Sequence, residues 1–291
     1  MKWTRYLGYA GFFLASFIAG LYLTFPWDAA KERLLGLAET KTGMHFTAAS
    51  LDSSWFTGVR AETVEITTKP GATPIRLDWV KLRVKLLSLI TGKLGATVSL
   101  PLGKGEVDAA VVSSTDLLDV EAHLKEVQLD QVAFLIEMAG LPLYGKVDLD
   151  ADLVLGKTDP KLTEGTLKLK TAGLGIEKGG KIGMIPVPNL ELGNLELEIP
   201  IKEGKAELKK TRVPGTDLEL MLDGTLSPQL PFSKTTLNLV LGLKPTEKLL
   251  NADPLLRPIL KNFEQHKDGE GFFGVALTGS IQHPRMQPRR P

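Results

Sequence analysis

Apolar and polar side chains alternate along much of the second half of this chain. From Lys146 onward the alternation is regular, with mostly charged or polar residues between the apolar ones. A period of two places successive side chains on opposite faces of a β-strand, so the pattern predicts antiparallel sheet with one covered apolar face. The alternating apolar positions are Val147, Leu149, Leu153, Leu167, Leu169, Leu195, Leu197, Leu218, Leu220, Leu222, Leu237, Leu239, Leu241, Phe273, Val275 and Leu277.

The first half of the chain predicts further strands, separated by Gly, Pro and Ser residues. These strands span Met44–Leu51, Val59–Thr67, Ile75–Lys85, Ala96–Leu100, Gly105–Val112 and Leu118–Leu124. Helical periodicity predicts short helices beside the strands. The helices span Asp28–Thr42, Leu86–Thr91, Asp130–Ala139 and Thr246–Phe263, the last broken by Pro254 and Pro258. The chain is therefore predicted to be mainly β with a few helices.

The predicted sheet is too long to stay flat. About a dozen strands at roughly 4.8 Å spacing extend over about 60 Å, and strand twist then makes the sheet curl. Its leucines can be hidden by its own other half if the sheet folds over, by helices, or by a lipid that fills an open groove. All three coverings fit the alternation.

The N-terminal segment predicts a transmembrane helix. No charged residue occurs from Tyr6 to Trp27, and about 22 helical residues span roughly 33 Å, enough to cross a hydrocarbon core. A cleaved signal peptide has a shorter apolar stretch and a small-x-small cleavage site, whereas this stretch ends in Leu23-Thr-Phe-Pro-Trp27. The segment is therefore predicted to remain as an anchor.

Charges and aromatic rings orient the predicted anchor. Lys2 and Arg5 precede the span, and this basic bias places the N-terminus in the cytoplasm. Trp3, Tyr6 and Trp27 lie toward its ends, where aromatic rings favour the headgroup layer. The rest of the chain is then expected on the far side of a bacterial inner membrane, in the periplasm.

The chain divides into four predicted parts. Residues 1–27 are the cytoplasmic tip and membrane helix, and residues 28–43 form a helix that caps the body. Residues 44–282 are the β-rich periplasmic body, and residues 283–291 are a Pro- and Arg-rich tail predicted to be disordered.

Composition narrows the function classes. With 35 basic and 34 acidic residues the net charge is +1, so no excess of positive field gathers nucleic acid. The chain contains no cysteine, which excludes disulfides and thiolate metal sites. We therefore expect no nucleic-acid partner.

Several motifs resemble catalytic or metal sites, and each has a structural interpretation. Gly269–Gly274 matches G-x-G-x-x-G but runs into a strand-like segment instead of opening a helix. Asp148, Asp150 and Asp152 resemble a calcium loop, yet Leu153 stands where that loop needs glycine. The four histidines are scattered, and no serine lies in G-x-S-x-G. We predict no enzyme, no metal and no cofactor other than a bound lipid.

Two stretches resemble the type II secretion system N proteins, in the long form of myxobacteria and their relatives. The first is a Lys-Pro helix start in Leu243–Leu250, followed by an Asp-Gly, aromatic, Gly and Thr-Gly run in Asp268–Gly279. The second is Ser53–Val59, with its Trp-Phe-Thr-Gly sequence, followed by Leu86–Gly92. That family is in turn similar to the AsmA and TamB envelope proteins, whose inner-membrane anchor carries a curled sheet with an apolar groove.

The resemblance implies two alternative functions. One is a non-enzymatic, inner-membrane-anchored periplasmic component of type II protein secretion, with other secretion components as partners. The other is an AsmA- or TamB-like envelope protein that binds or bridges phospholipid in an apolar β groove. The alternating leucines agree with the second function, and both expect the membrane as a partner.

Overall fold

The structure of the chain is a computed structural model. It describes residues 13, 16, 27–42, 45–54, 57–67, 74–132, 142–179, 181–182, 185–186, 188–252, 264–281 and 283–291. Most of the predicted membrane span lies outside the described residues, as do Lys2, Trp3, Arg5 and Tyr6. Among the described residues, no helix combines the length and the apolar character needed to cross a bilayer.

Three α-helices are described over their length. They are α1 (Trp27–Thr42), α2 (Leu86–Ile90) and α3 (Glu247–Ala252). The first two confirm the predicted helices Asp28–Thr42 and Leu86–Thr91. The third covers the start of Thr246–Phe263, and the 3-10 turn Leu129–Gln131 stands at the start of Asp130–Ala139. The remainder of both predictions lies outside the described residues.

Strands make up most of the described chain, which confirms the predicted mainly β class. They are β1 (His45–Ser54), β2 (Gly58–Thr67), β3 (Ile75–Val84), β4 (Leu94–Leu102), β5 (Gly105–Ser113), β6 (Leu117–Gln128), β7 (Leu143–Gly156), β8 (Glu164–Ile176), β9 (Lys181–Ile182), β10 (Ile185–Pro186), β11 (Leu190–Gly193), β12 (Glu196–Lys202), β13 (Lys205–Val213), β14 (Leu218–Ser227), β15 (Thr236–Pro245), β16 (Phe273–Ser280) and β17 (His283–Pro288). The predicted dozen was therefore an underestimate.

One antiparallel meander of 15 strands holds this structure together. Strands β1 to β8 pair in chain order, and β8 then pairs along its other edge with both β11 and β12. Strands β12 to β17 continue in order, while β9 and β10 form a separate two-stranded sheet. Strands β1 and β17 are the two ends of this order, so the sheet is not closed. Antiparallel neighbours need only tight turns, such as Glu203-Gly204, where both residues have positive φ.

Bulges keep the apolar side chains on one face over the length of the strands. In β6, Leu124 pairs with Leu149 but Val127 pairs with Val147, so one extra residue enters between them. Glu126 in this bulge has a φ of 51°, and its N–H donates to the Asp148 carboxylate at 2.6 Å. Because the extra residue reverses the alternation, even-numbered apolar positions before the bulge and odd-numbered ones after it face the same way.

Strand β13 carries a bulge of the same construction. Lys210 has a φ of 46°, and its N–H donates to the Asp223 carboxylate at 3.3 Å. The pairing with β14 shifts by one residue between Leu208 and Thr211. An aspartate on the neighbouring strand thus receives the amide that each bulge frees from the ladder.

The prediction of a disordered tail from His283 is wrong. Residues His283–Pro288 form β17, whose Met286 pairs with Leu277 and whose Arg285 pairs with Thr278 of β16. Strand β16 would otherwise present a free row of backbone groups, and β17 satisfies them. Prolines are tolerated in β17 because its outer side has no neighbour that needs an N–H donor.

Candidate functional site

The strand register brings every predicted apolar position onto one face of the sheet, called the apolar face below. Residues directly opposite each other in an antiparallel pair share a face. Leu149, Leu169 and Leu197 form one row across β7, β8 and β12. Other rows are Ala151–Leu167–Ile199, Leu220–Leu243–Phe273, Leu222–Leu241–Val275 and Leu239–Leu277.

A further row joins the two halves of this face. Ile201 pairs with Ala206, Ala206 with Leu226, and Leu226 with Leu237. The rows from β7 to β12 and those from β14 to β16 therefore belong to one continuous surface. Leu195 precedes β12, and its carbonyl accepts the Thr171 N–H at 2.8 Å, which keeps Leu195 in register with the rest.

The apolar face also extends into the first half of the sheet, which the sequence prediction had missed. Leu100, Val107 and Leu124 form one row across β4, β5 and β6, and Val98, Ala109 and Ala122 form the next. Small Val and Ala side chains give these segments a weaker apolar signal than the leucine-rich strands. The period-two alternation of β5 and β6 was nevertheless visible in the sequence.

Burial differs sharply along this face. Leu153 is 7% exposed and lies in one buried cluster with Ala151, Leu155, Ile201 and Ala206. The other predicted positions, Val147 and Leu149 and those from Leu167 to Leu277, are only half-buried. The half-buried positions that lie on β14, β15 and β16 are called the open stretch. They are Leu218, Leu220, Leu222, Leu237, Leu239, Leu241, Phe273, Val275 and Leu277.

The opposite face of the sheet is polar along β7, β8 and β12, and its charges there are largely paired, whereas at β14 and β16 it buries Met221 and Ala276. Lys170 and Glu196 lie 2.8 Å apart, and this contact raises the pKa of the Lys170 ammonium and lowers the pKa of the Glu196 carboxyl. Lys168 and Glu198 form a similar pair at 3.3 Å on the same two strands. Exposed pairs of this kind contribute little stability, but they keep the face solvated.

His123 contacts two carboxylates on the polar face. Its Nδ1 lies 2.6 Å from the Asp150 carboxylate, and its Nε2 lies 3.3 Å from Glu121. Hydrogen bonding to Asp150, and then to Glu121, raises the pKa of the His123 imidazole. Asp148 and Asp150 therefore have structural partners, a bulge amide and a histidine, in place of the calcium considered above.

The glycine-rich motif Gly269–Gly274 forms a turn before β16, as predicted. The Asp268 carboxylate accepts the N–H groups of Glu270 and Phe272 at 2.9 and 2.8 Å. Phe272 is fully buried on the polar face, beneath the cationic groups of Arg212 and Lys244. The motif thus anchors a local aromatic cluster, which the sequence signalled only through two adjacent phenylalanines.

Metal ligands do not gather in the described part of the chain. Among those residues no group of three or more His, Asp or Glu side chains is arranged to hold an ion. The charged side chains described above are committed to ion pairs and bulges. The predicted absence of catalysis stays a prediction, and the apolar face is the candidate functional site.

The fold and this face define a class: an open, one-sided antiparallel meander. No protein-family model, curated protein or solved structure matches the chain. The resemblance to type II secretion N proteins therefore stays a prediction.

Proposed function

We propose that this chain is a non-enzymatic, membrane-anchored envelope protein that holds lipid acyl chains along the open stretch of its apolar face. The observation that carries the proposal is that apolar side chains share one face of the sheet there but are not fully buried. Apolar side chains in adjacent rows across β14, β15 and β16, among them Leu222–Leu241–Val275, are only half-buried. A large contiguous apolar surface that stays accessible is typical of an interaction site.

The energetics of acyl-chain binding support the proposal. Removing one methylene from water contributes about 0.8 kcal/mol, so a chain of about 16 carbons gains at most about 13 kcal/mol before the costs of binding. The segment from Leu237 to Leu243 alone extends over roughly 20 Å along β15. An acyl chain lying along this strand meets apolar side chains over that whole length.

The polar face argues against the competing classes. Basic and acidic side chains alternate on this face and form ion pairs, and the chain carries a net charge of only +1. Nucleic acid therefore finds no basic stripe. An acid–base enzyme needs carboxylates in a sheltered pocket, whereas the carboxylates paired here are exposed.

Lipid extraction tests the proposal with two neighbouring positions of β15. We expect the full chain, purified from membranes, to carry co-purified phospholipid that mass spectrometry detects. Leu239→Glu places a charge on the apolar face and is expected to remove most of that lipid. Asn238→Glu changes the exposed neighbour on the polar face and is expected to keep it. Equal lipid content in both variants, with both folded by circular dichroism, would count against the proposal.

A role in type II secretion is our second proposal, and it rests on the resemblance. The residues that carry the resemblance include Lys244-Pro245, which end β15, and the Asp268 turn that leads into β16. These two segments border the open stretch at one end. Deleting the gene and assaying exoprotein release tests this role, and unchanged secretion would overturn it while leaving the lipid proposal standing.

A further inference from the structure

Helix α2 exposes its apolar side chains instead of burying them. Leu87 and Ile90 are each 80% exposed, and no residue of the helix is buried. The side chain turned toward the sheet is Ser88, since a Cβ on Gly95 of β4 would lie 2.7 Å from its Oγ. The exposed apolar side chains of this patch are Val84, Leu86, Leu87, Leu89, Ile90 and Leu94.

Backbone hydrogen bonds fix this arrangement independently of the leucines. The Lys85 N–H donates to the Gly95 carbonyl at 2.8 Å, and the Lys93 N–H donates to the Ser88 carbonyl at 2.8 Å. The Val84 N–H donates to the Thr57 carbonyl at 2.9 Å, which ties the segment to the β1–β2 connection. The leucines are thus held out from the sheet by an ordered turn.

The α2 patch lies at the end of the sheet toward which α1 begins. Helix α1 runs antiparallel to β1, because its Glu39 contacts His45 at 3.0 Å while its Lys31 reaches the Ala49 carbonyl at 3.3 Å. The first residue of α1, Trp27, therefore lies toward the Ser54 end of β1. Ser54 pairs with Gly58 and Gly58 with Arg83, so α2 follows β3 at that same end.

The predicted membrane span ends at Trp27, so the chain is expected to enter the body at this end. Charge agrees with a membrane surface there. Arg83, Lys85 and Lys93 flank the patch, and no acidic residue occurs between positions 83 and 94. Basic residues beside exposed leucines favour insertion among anionic headgroups.

We propose that the α2 patch dips into the headgroup and acyl boundary of the membrane that holds the predicted anchor. The proposal rests on that anchor, but it is independent of lipid binding along the apolar face. Two membrane contacts, the anchor and α2, then fix the orientation of strands β1 to β4 relative to the bilayer.

Site-specific fluorescence tests this docking, and the native chain helps because it contains no cysteine. Leu87→Cys, Ile90→Cys and Lys104→Cys are each labelled with the dye NBD in the full chain. The labelled chains are reconstituted in vesicles of phosphatidylethanolamine and phosphatidylglycerol. Lys104 is the control, because it is exposed in the turn after β4, at the opposite end of that strand from Leu94.

The expected result is blue-shifted NBD emission at positions 87 and 90, quenched by nitroxide-bearing lipids. The label at position 104 should emit as in water and be quenched by iodide. Iodide quenching at positions 87 and 90 equal to that at 104 overturns the proposal. A blue shift that nitroxide lipids do not quench indicates contact with protein and overturns it as well, and so does a chain that fails to float with the vesicles. Lipid retention by Leu239→Glu and Asn238→Glu is measured separately, so the two proposals fail independently.

Discussion

Two regions of the apolar face carry the same sequence pattern and have different burial. At β7 and β12, Leu155 and Ile201 are each 1% exposed and belong to a buried cluster. At β15, Leu239 and Leu241 follow the same period of two, with Val240 between them, and stay half-buried. Alternation therefore assigns a residue to a face, whereas the surrounding segments decide whether that face is covered.

Contacts between segments that are distant in the chain close the first region. Gly165 stands between Leu153 and Ile201 in the row across β7, β8 and β12, so no side chain separates them. Leu230, in the connection after β14, then packs against the cluster. In the open stretch, Gly224 stands beside Leu239 and Gly279 beside Leu237 in the same way, but none of its residues belongs to the buried cluster.

Truncation of one leucine in each region is expected to give the largest difference. Leu155→Ala leaves a cavity in the buried cluster and should lower the free energy of unfolding by about 2–5 kcal/mol. Leu239→Ala removes a half-buried side chain and should cost about 1 kcal/mol. Urea unfolding followed by circular dichroism measures both. Equal losses would mean that the two regions are equally covered.

The same two variants should rank in the opposite order when the affinity for an acyl chain is measured instead of the free energy of unfolding. Leu239→Ala deletes about three carbons from the proposed contact surface, worth at most about 2 kcal/mol, so the affinity for a fluorescent fatty acid should fall by about tenfold. Leu155→Ala should leave this affinity nearly unchanged, provided that the variant is folded. A larger loss with Leu155→Ala would place the ligand at the buried cluster instead.

The β6 bulge keeps the apolar face continuous, and its aspartate offers a smaller test. Asp148→Ala leaves the Glu126 N–H without its acceptor and should lower the free energy of unfolding by about 1 kcal/mol. Asp152→Ala, on the same side of the same strand, is the matched control and should be close to neutral. The same urea assay compares them, and a neutral Asp148→Ala would show that the bulge does not depend on this hydrogen bond.

The smallest expected effect is a pH dependence at the polar face. Since Asp150 and Glu121 raise the pKa of His123 in the folded state, their stabilisation is full below the unfolded value of about 6.5. It is lost as pH rises through the raised folded pKa. His123→Ala should therefore lower the thermal midpoint at about pH 5 and have little effect at about pH 8. An equal shift at both pH values would exclude this ion pair as the cause.

Much of the fold could be predicted from the sequence because period two is a local signal. Strands β2 and β3 and helix α1 were predicted within a few residues, and the apolar positions predicted from Val147 to Leu277 share one face. The bulges at Glu126 and Lys210 were not predicted, since they depend on aspartates that reach them from neighbouring strands. Strand β17 was missed because its prolines and arginines carry no strand signal, and its pairing with β16 decides its structure.

Coverage of the apolar face could not be predicted for a similar reason. The closed cluster joins Leu153 and Leu155 to Ile201, Ala206 and Leu230, which are distant in the chain. The outward display of Leu87 and Ile90 depends on hydrogen bonds of the turn around Ser88. In each case tertiary contacts select between arrangements that the local pattern permits equally.

Photocrosslinking in living cells tests lipid binding most directly. A benzophenone amino acid in place of Leu239 faces the proposed acyl chain, and the same group in place of Asn238 faces water from the opposite side of β15. Irradiation should yield a phospholipid adduct at position 239, identified by mass spectrometry, and none at position 238. The absence of an adduct at 239, or equal adducts at both positions, would contradict the claim that the open stretch holds lipid.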